Sequence, residues 1–246
     1  SLFRKNIRKI EKILFSQNPG TLFKKNENNQ GGEQVLINNS FYADKFSFGE
    51  LNPDKIFYII KRSPGAGLFS NLTFVLNHLK IAKENNYIPF VDMQEYPSIY
   101  NESSKIYNTY NSWEYFFENV SNFNLHEIYK SKNVIITKNK FNNFFSLWLD
   151  KDKSLIKLLK NDIKLRKHIL NTYNRVNKKY LDKKKVLGIH FRGTTYKNSA
   201  GHPLPATKKQ IYNLVKKVLK TEKVDYIFLS TEEKNYLDFL KKKFND

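Results

Sequence analysis

The run His190-Phe191-Arg192-Gly193-Thr194-Thr195 closes an apolar stretch, Val186–Ile189, with groups suited to an anionic ligand. Side chains alternate faces along a strand, so His190 and Arg192 share one. The arginine offers a rigid fork that matches a diphosphate. Gly193, Thr194 and Thr195 add backbone and hydroxyl donors beside it. A second apolar stretch, Ile227–Leu229, ends in Ser230-Thr231-Glu232-Glu233. Acids after such strands often meet the ribose or base of a nucleotide. Each end also has an ordinary structural reading. His190 would be a satisfied core histidine and Arg192 a surface ion-pair partner, while Ser230 or Thr231 would cap the next helix with a carboxylate in its first turn.

A third end lies upstream. Lys61 and Arg62, which would help to hold a phosphate, lead into Pro64-Gly65-Ala66-Gly67-Leu68-Phe69-Ser70-Asn71. Glycines where a strand turns into a helix let backbone N–H groups approach a phosphate or sugar, helped by the positive end of the helix. Any tight turn of this kind also uses glycine. Asp150-Lys151-Asp152 spells an acidic pair able to hold a metal, but it sits in a lysine-rich helical entry with no strand before it. The five histidines show no ligand spacing. No metal site is expected.

The elements that must position these ends follow from periodicity. Lys55–Ile60 reads as a buried strand, residues 68–83 as a helix with Leu72, Val75, Leu76, Leu79 and Ala82 on one stripe, and residues 87–92 as the next strand. Together they make a β-turn-α-β unit with a right-handed crossover. Residues 35–37, 41–48 and 133–137 are further strands, and 111–118 an aromatic helix with a serine cap. Residues 151–180 read as one long basic helical region, with Leu155, Leu158, Leu159, Ile163, Ile169 and Leu170 as its buried stripe. The chain then runs strand 186–191, loop 192–206, helix 207–221, strand 224–230 and helix 232–243. An α/β protein with domains 1–180 and 181–246 follows. Its ligands would sit at the carboxyl ends of the strands.

Composition narrows the class. With 246 residues, 40% of them hydrophobic and 15% aromatic, the chain can bury a substantial core. The absence of cysteine removes disulfides and thiolate chemistry and suits a cytoplasmic protein. The net charge of +20 raises nucleic acid as a partner. Lysine is spread along the chain in company with Asn, Ile, Phe and Tyr, a mixture that resembles A/T-rich codon bias. There is no zinc-finger spacing and no Arg-rich arm, so nucleic acid is not expected. No apolar run reaches the roughly 18–20 residues of a membrane span. Residues 2–15 form a basic amphipathic pattern, read as a helix docked on the core or, alternatively, as a peripheral membrane contact at the inner face of the cytoplasmic membrane.

Taken together, His190-Phe191-Arg192-Gly193-Thr194, Gly201-His202-Pro203 and Ile227–Glu233 resemble the α-1,6-fucosyltransferase and protein O-fucosyltransferase superfamily. Its members carry a His-x-Arg-x-Thr-Asp strand end and an Ala-Thr-Asp-Asp strand end. Gly67–Asn71 is similar to their Gly-x-Phe-Gly-Asn turn, and Asn111–Glu118 looks like a segment of bacterial relatives. The resemblance implies a GT-B glycosyltransferase, with two Rossmann-like domains facing across a cleft and the C-terminal one truncated here. It would transfer fucose or a related deoxysugar from a GDP-sugar to a bacterial surface glycan, with inversion and without a metal or other cofactor. Arg192 would hold the donor diphosphate and act in catalysis. His190, Gly193, Thr194, Thr195, Ser230, Thr231, Glu232 and Glu233 would line the donor site. Gly65, Gly67 and Asn71 would face the cleft from the N-terminal domain. Thr195 stands where the family has Asp, and Glu232-Glu233 where it has Asp-Asp. The alternative is therefore an inactive or incomplete module that binds nucleotide or glycan.

Overall fold

The computed structural model describes residues 32–37, 41–61, 67–94, 100–137, 153–193 and 204–244. In chain order the elements are β1 (Glu33–Ile37), β2 (Phe41–Phe46), β3 (Leu51–Ile60), α1 (Leu68–Glu84), β4 (Ile88–Val91), α2 (Leu125–Ile128), β5 (Ser131–Thr137), α3 (Lys153–Asp162), α4 (Lys167–Val176), β6 (Val186–Phe191), α5 (Lys208–Thr221), β7 (Tyr226–Thr231) and α6 (Lys234–Phe244). The expected helix at 2–15 and the pair Asp150/Asp152 lie outside the described residues. The strand at 87–92 and the helix at 68–83 form as the periodicity predicts.

The first five strands form one sheet in the order β1-β2-β5-β3-β4. β3 runs parallel to both β4 and β5, while β1 and β2 add an antiparallel margin. Apolar side chains pack both faces of β3. Tyr58 and Ile60 face a cluster with Val75 and Leu79 of α1, and Phe57 and Ile59 face another with Phe90, Ile128 and Val134. That two-sided burial is why the strand reads as a continuous apolar run and not an alternating one. Helix α1 ends at Asn85-Asn86. Asn86 takes φ 56° and the Tyr87 N–H donates to Ala82 at 2.8 Å, which stops the helix and aims the chain into β4.

Within this core the Tyr58 hydroxyl and His78 Nδ1 lie 2.8 Å apart. Burial, aided by the neighbouring Tyr87, holds the Tyr58 hydroxyl well above its ordinary 10.0. The folded chain therefore keeps this proton at pH values where the unfolded chain has lost it. The stabilisation is complete below pH of about 10 and disappears as pH rises through the folded value. Urea unfolding at pH values on either side of 10 should show stability falling on the alkaline side, and Tyr58→Phe should remove that part of the fall. An equally steep fall in the variant would mean that another group is responsible.

Two sequence readings need correction here. The aromatic segment is a single 3-10 turn, Ser112–Tyr115, not a helix across 111–118, and its cap is Asn111 rather than a serine. Asn111 Oδ1 accepts from Met93 N and Trp113 N, and its amide donates to Val91 O at 2.7 Å. Trp113 and Phe117 stack into the core, so packing overrides the helical period. The region 151–180 is likewise two helices followed by a π turn at Asn177–Leu181. Between the helices the backbone leaves helical geometry, because Lys164 O accepts from Glu118 N and Arg166 N donates to Phe116 O. Of the predicted stripe only Leu158 is buried, and α4 has no buried residue.

Contacts divide the chain into two units that meet between Arg166 and Lys167, which places α4 with the second unit, whereas the sequence reading put the boundary at 180/181. In the second unit β6 and β7 form a parallel pair joined through α5. Ile189, Phe191, Val215, Tyr236 and Leu240 make its core. Thr207 caps α5 through a reciprocal box with Gln210.

Candidate functional site

In the second unit the register of β6 and β7 brings the two motif ends together. Val186 pairs with Tyr226 and the ladder continues to His190 with Ser230 and Phe191 with Thr231. The same offset of residues sets Arg192 beside Glu232 and Gly193 beside Glu233. Arg192 Nη2 and Glu232 Oε1 are 3.5 Å apart, an ion pair with both side chains about two-fifths exposed. The Glu233 side chain lies across Gly193, and a Cβ at that glycine would come within 2.4 Å of it. A larger residue at 193 would have to push the Glu233 side chain aside.

Ile189 and Phe191 point into the unit's core, so His190 and Arg192 take the opposite, exposed face together with Ser230 and Glu232. The reading of His190 as a satisfied core histidine is thereby excluded. Phe191 stacks on Tyr236, with ring centroids 3.9 Å apart, which fixes the start of α6 against the end of β6. Ser230 and Thr231 do not cap α6 directly, because the helix begins at Lys234. Thr231 Oγ1 instead accepts from Glu233 N at 3.2 Å and closes the turn that carries the two acids. Thr194 and Thr195 lie outside the described residues.

This cluster can bind an anion at Arg192 and offer donor and acceptor groups beside it. Among the described residues, no three His, Cys, Asp or Glu side chains gather as a metal would require.

In the first unit the carboxyl ends of the parallel strands carry a second cluster. Lys61 follows β3, Asp92 follows β4 and Thr137 ends β5. From β3 the chain crosses to β4 on one side, while β5 returns on the other, so Lys61 and Thr137 stand at the point where strand order reverses. Thr137 Oγ1 accepts from Lys61 N at 3.0 Å and donates to Lys61 O at 3.3 Å. Lys61 Nζ pairs with Asp92 Oδ2 at 3.4 Å, with side chains 5% and 0% exposed. Sequence reasoning had offered Lys61 to a phosphate, but it is buried and committed to an internal carboxylate. Asp92 and Thr137 were missed as partners. The only signal for them was their place at strand ends.

Of the glycine turn, Gly65 and Arg62 lie outside the described residues. Gly67 is the exposed residue before α1. The Leu68 N–H donates to the Tyr100 hydroxyl at 2.8 Å, which occupies one of the unpaired donors of the first turn. Asn71 sits one turn into α1, on the same stripe as Val75 and Leu79. It is 3% exposed, and its Oδ1 has no hydrogen-bond partner among the described residues. A buried unmatched carbonyl costs about 1–3 kcal/mol.

No protein-family model matches the chain, and no curated protein sequence matches it. Among solved structures it is similar to NodZ, an α-1,6-fucosyltransferase soaked with GDP-fucose, with a TM-score of 0.51 and 14% identity over 78% of this chain and 76% of that one. A second similar structure is the fucosyltransferase NodZ from Bradyrhizobium, with a TM-score of 0.46 and 15% identity over 78% and 77%. The likeness establishes the fold as α/β and of the fucosyltransferase-like GT-B kind.

Proposed function

We propose that the chain is a glycosyltransferase that moves fucose or a related deoxysugar from a GDP-sugar to a bacterial surface glycan, with inversion and without a metal. One observation carries the reading. The parallel register of β6 and β7 sets Arg192, His190, Ser230 and Glu232 on one exposed face at the carboxyl end of the strand pair. That is where α/β folds bind nucleotides. The leaving GDP gains negative charge as the glycosidic bond breaks. A fixed guanidinium at Arg192 stabilises that charge more in the transition state than in the ground state. On this reading the Glu232 carboxylate occupies the guanidinium until donor phosphate replaces it. In the first unit, taken by itself, the Asn71 carbonyl is an acceptor suited to a sugar hydroxyl. The similar structure soaked with GDP-fucose favours guanosine over uridine or cytidine donors.

Thermal unfolding with GDP, GDP-fucose, GDP-mannose, UDP-sugars and CDP tests the donor. At a hundredfold excess over Kd, binding to the native state alone adds about 2.7 kcal/mol. Selective stabilisation by GDP and GDP-fucose is expected. No response to any nucleotide would overturn the reading. Stabilisation without turnover on any acceptor would make the chain a binding module.

A further inference from the structure

The positive charge is not evenly shared. Residues 167–246 hold 19 Lys and Arg against seven Asp and Glu, whereas residues 1–166 hold 24 against 16. A bias of codon usage alone would spread the excess in proportion to length. Within the second unit the excess gathers on α5, which carries five lysines and no acid, and on its neighbour α6, with four lysines and one acid.

At 100° per residue, Lys209, Lys216, Lys217 and Lys220 fall within an arc of about 100° on α5. All four are exposed, while Ile211, Val215 and Val218 turn away from that arc. None of the four makes an ion pair among the described residues. Two ammonium groups share one ring: Lys216 Nζ lies 5.4 Å and Lys243 Nζ 5.6 Å from the centre of Tyr212. Lys208 Nζ sits over Tyr236 and Phe239. Like charges are thus held close together with no carboxylate between them, an arrangement that an extended anionic surface relieves.

Leu214 and Leu219 flank the basic arc, each about 60° beyond one edge, and are 58% and 37% exposed. Lysines bordered by exposed aliphatic side chains suit a bilayer surface, where headgroup charge attracts the ammonium groups and the leucines enter the acyl boundary. A nucleic-acid duplex would use the lysines and gain nothing from the leucines. We propose that the solvent face of α5 docks the protein on an anionic lipid bilayer. The surface differs from the residue 2–15 segment, and the proposal does not depend on the glycosyltransferase reading.

Flotation of the full chain with vesicles tests it. Vesicles of phosphatidylcholine alone are compared with vesicles containing roughly a third phosphatidylglycerol, at low and high salt. Binding is expected only with phosphatidylglycerol and should weaken with salt. The triple variant K209Q/K217Q/K220Q should lower the partition coefficient by on the order of 100-fold. The charge-matched triple K55Q/K105Q/K157Q, at exposed positions of the first unit, should change it little. Leu214→Asn should weaken vesicle binding several-fold while leaving binding to a short DNA duplex unchanged. Equal losses in the two triples would reduce the effect to net charge and overturn the proposal. So would equal binding to neutral vesicles. If Leu214→Asn left vesicle binding intact and the α5 triple lost duplex binding instead, the surface would belong to nucleic acid. Melting curves for each variant confirm that the fold is retained.

Discussion

Arg192→Ala should abolish the thermal response to GDP and lower sugar transfer by about 100- to 1000-fold, the scale of losing one preorganised stabiliser of developing charge. The fold should survive. Arg192 and Glu232 are both about two-fifths exposed, and a pair of that kind contributes only about 0.2–1 kcal/mol. The core beneath rests on Phe191 stacked against Tyr236, which the substitution does not touch. Arg192→Lys sharpens the test, because lysine keeps the charge and loses the planar fork. It should recover part of the GDP binding and little of the turnover. Isothermal titration with GDP on the two variants, beside the unaltered chain, measures both effects. Undiminished GDP affinity in Arg192→Ala would remove the diphosphate role and with it the main support for the donor site.

The second large effect is on stability. Asp92→Asn should cost about 3–5 kcal/mol, because it removes the negative charge beside a lysine that the fold has already taken out of water. Lys61 and Asp92 are 5% and 0% exposed at their side chains, so water cannot easily replace the lost carboxylate. For a chain of this size the loss corresponds to a fall of roughly 10 °C in melting temperature. Asp92 Oδ1 also accepts from Gln94 N, an interaction that the asparagine carbonyl can keep. Loss of the opposite charge beside Lys61 therefore dominates the expected loss. The double variant Lys61→Met with Asp92→Leu should recover most of the stability, since a well-packed apolar pair can replace a buried ion pair at little or no cost. A melting temperature for Asp92→Asn within a degree of the unaltered chain would show that Lys61 reaches solvent.

The sequence by itself determined the local features. The period of residues 68–83 defined α1, that of residues 207–221 defined α5, and His190-x-Arg192 placed two polar side chains on one face of a strand end. These signals are legible because each is satisfied by neighbours a few residues away, through helical period and strand alternation. Only the tertiary structure decided what those pieces meet. The register of β6 on β7 joins Arg192 to Glu232 and lays Glu233 over Gly193 across a separation that no local pattern encodes. The placing of β5 beside β3 brings Thr137 to Lys61, and β4 on the other side supplies Asp92. Where the sequence reading failed, at the aromatic turn and at the break between α3 and α4, the same cause acted. Burial of Trp113 and Phe117, and the backbone hydrogen bonds from residues 116 and 118 to residues 164 and 166, outweighed a helical period of a few tenths of a kcal/mol per residue.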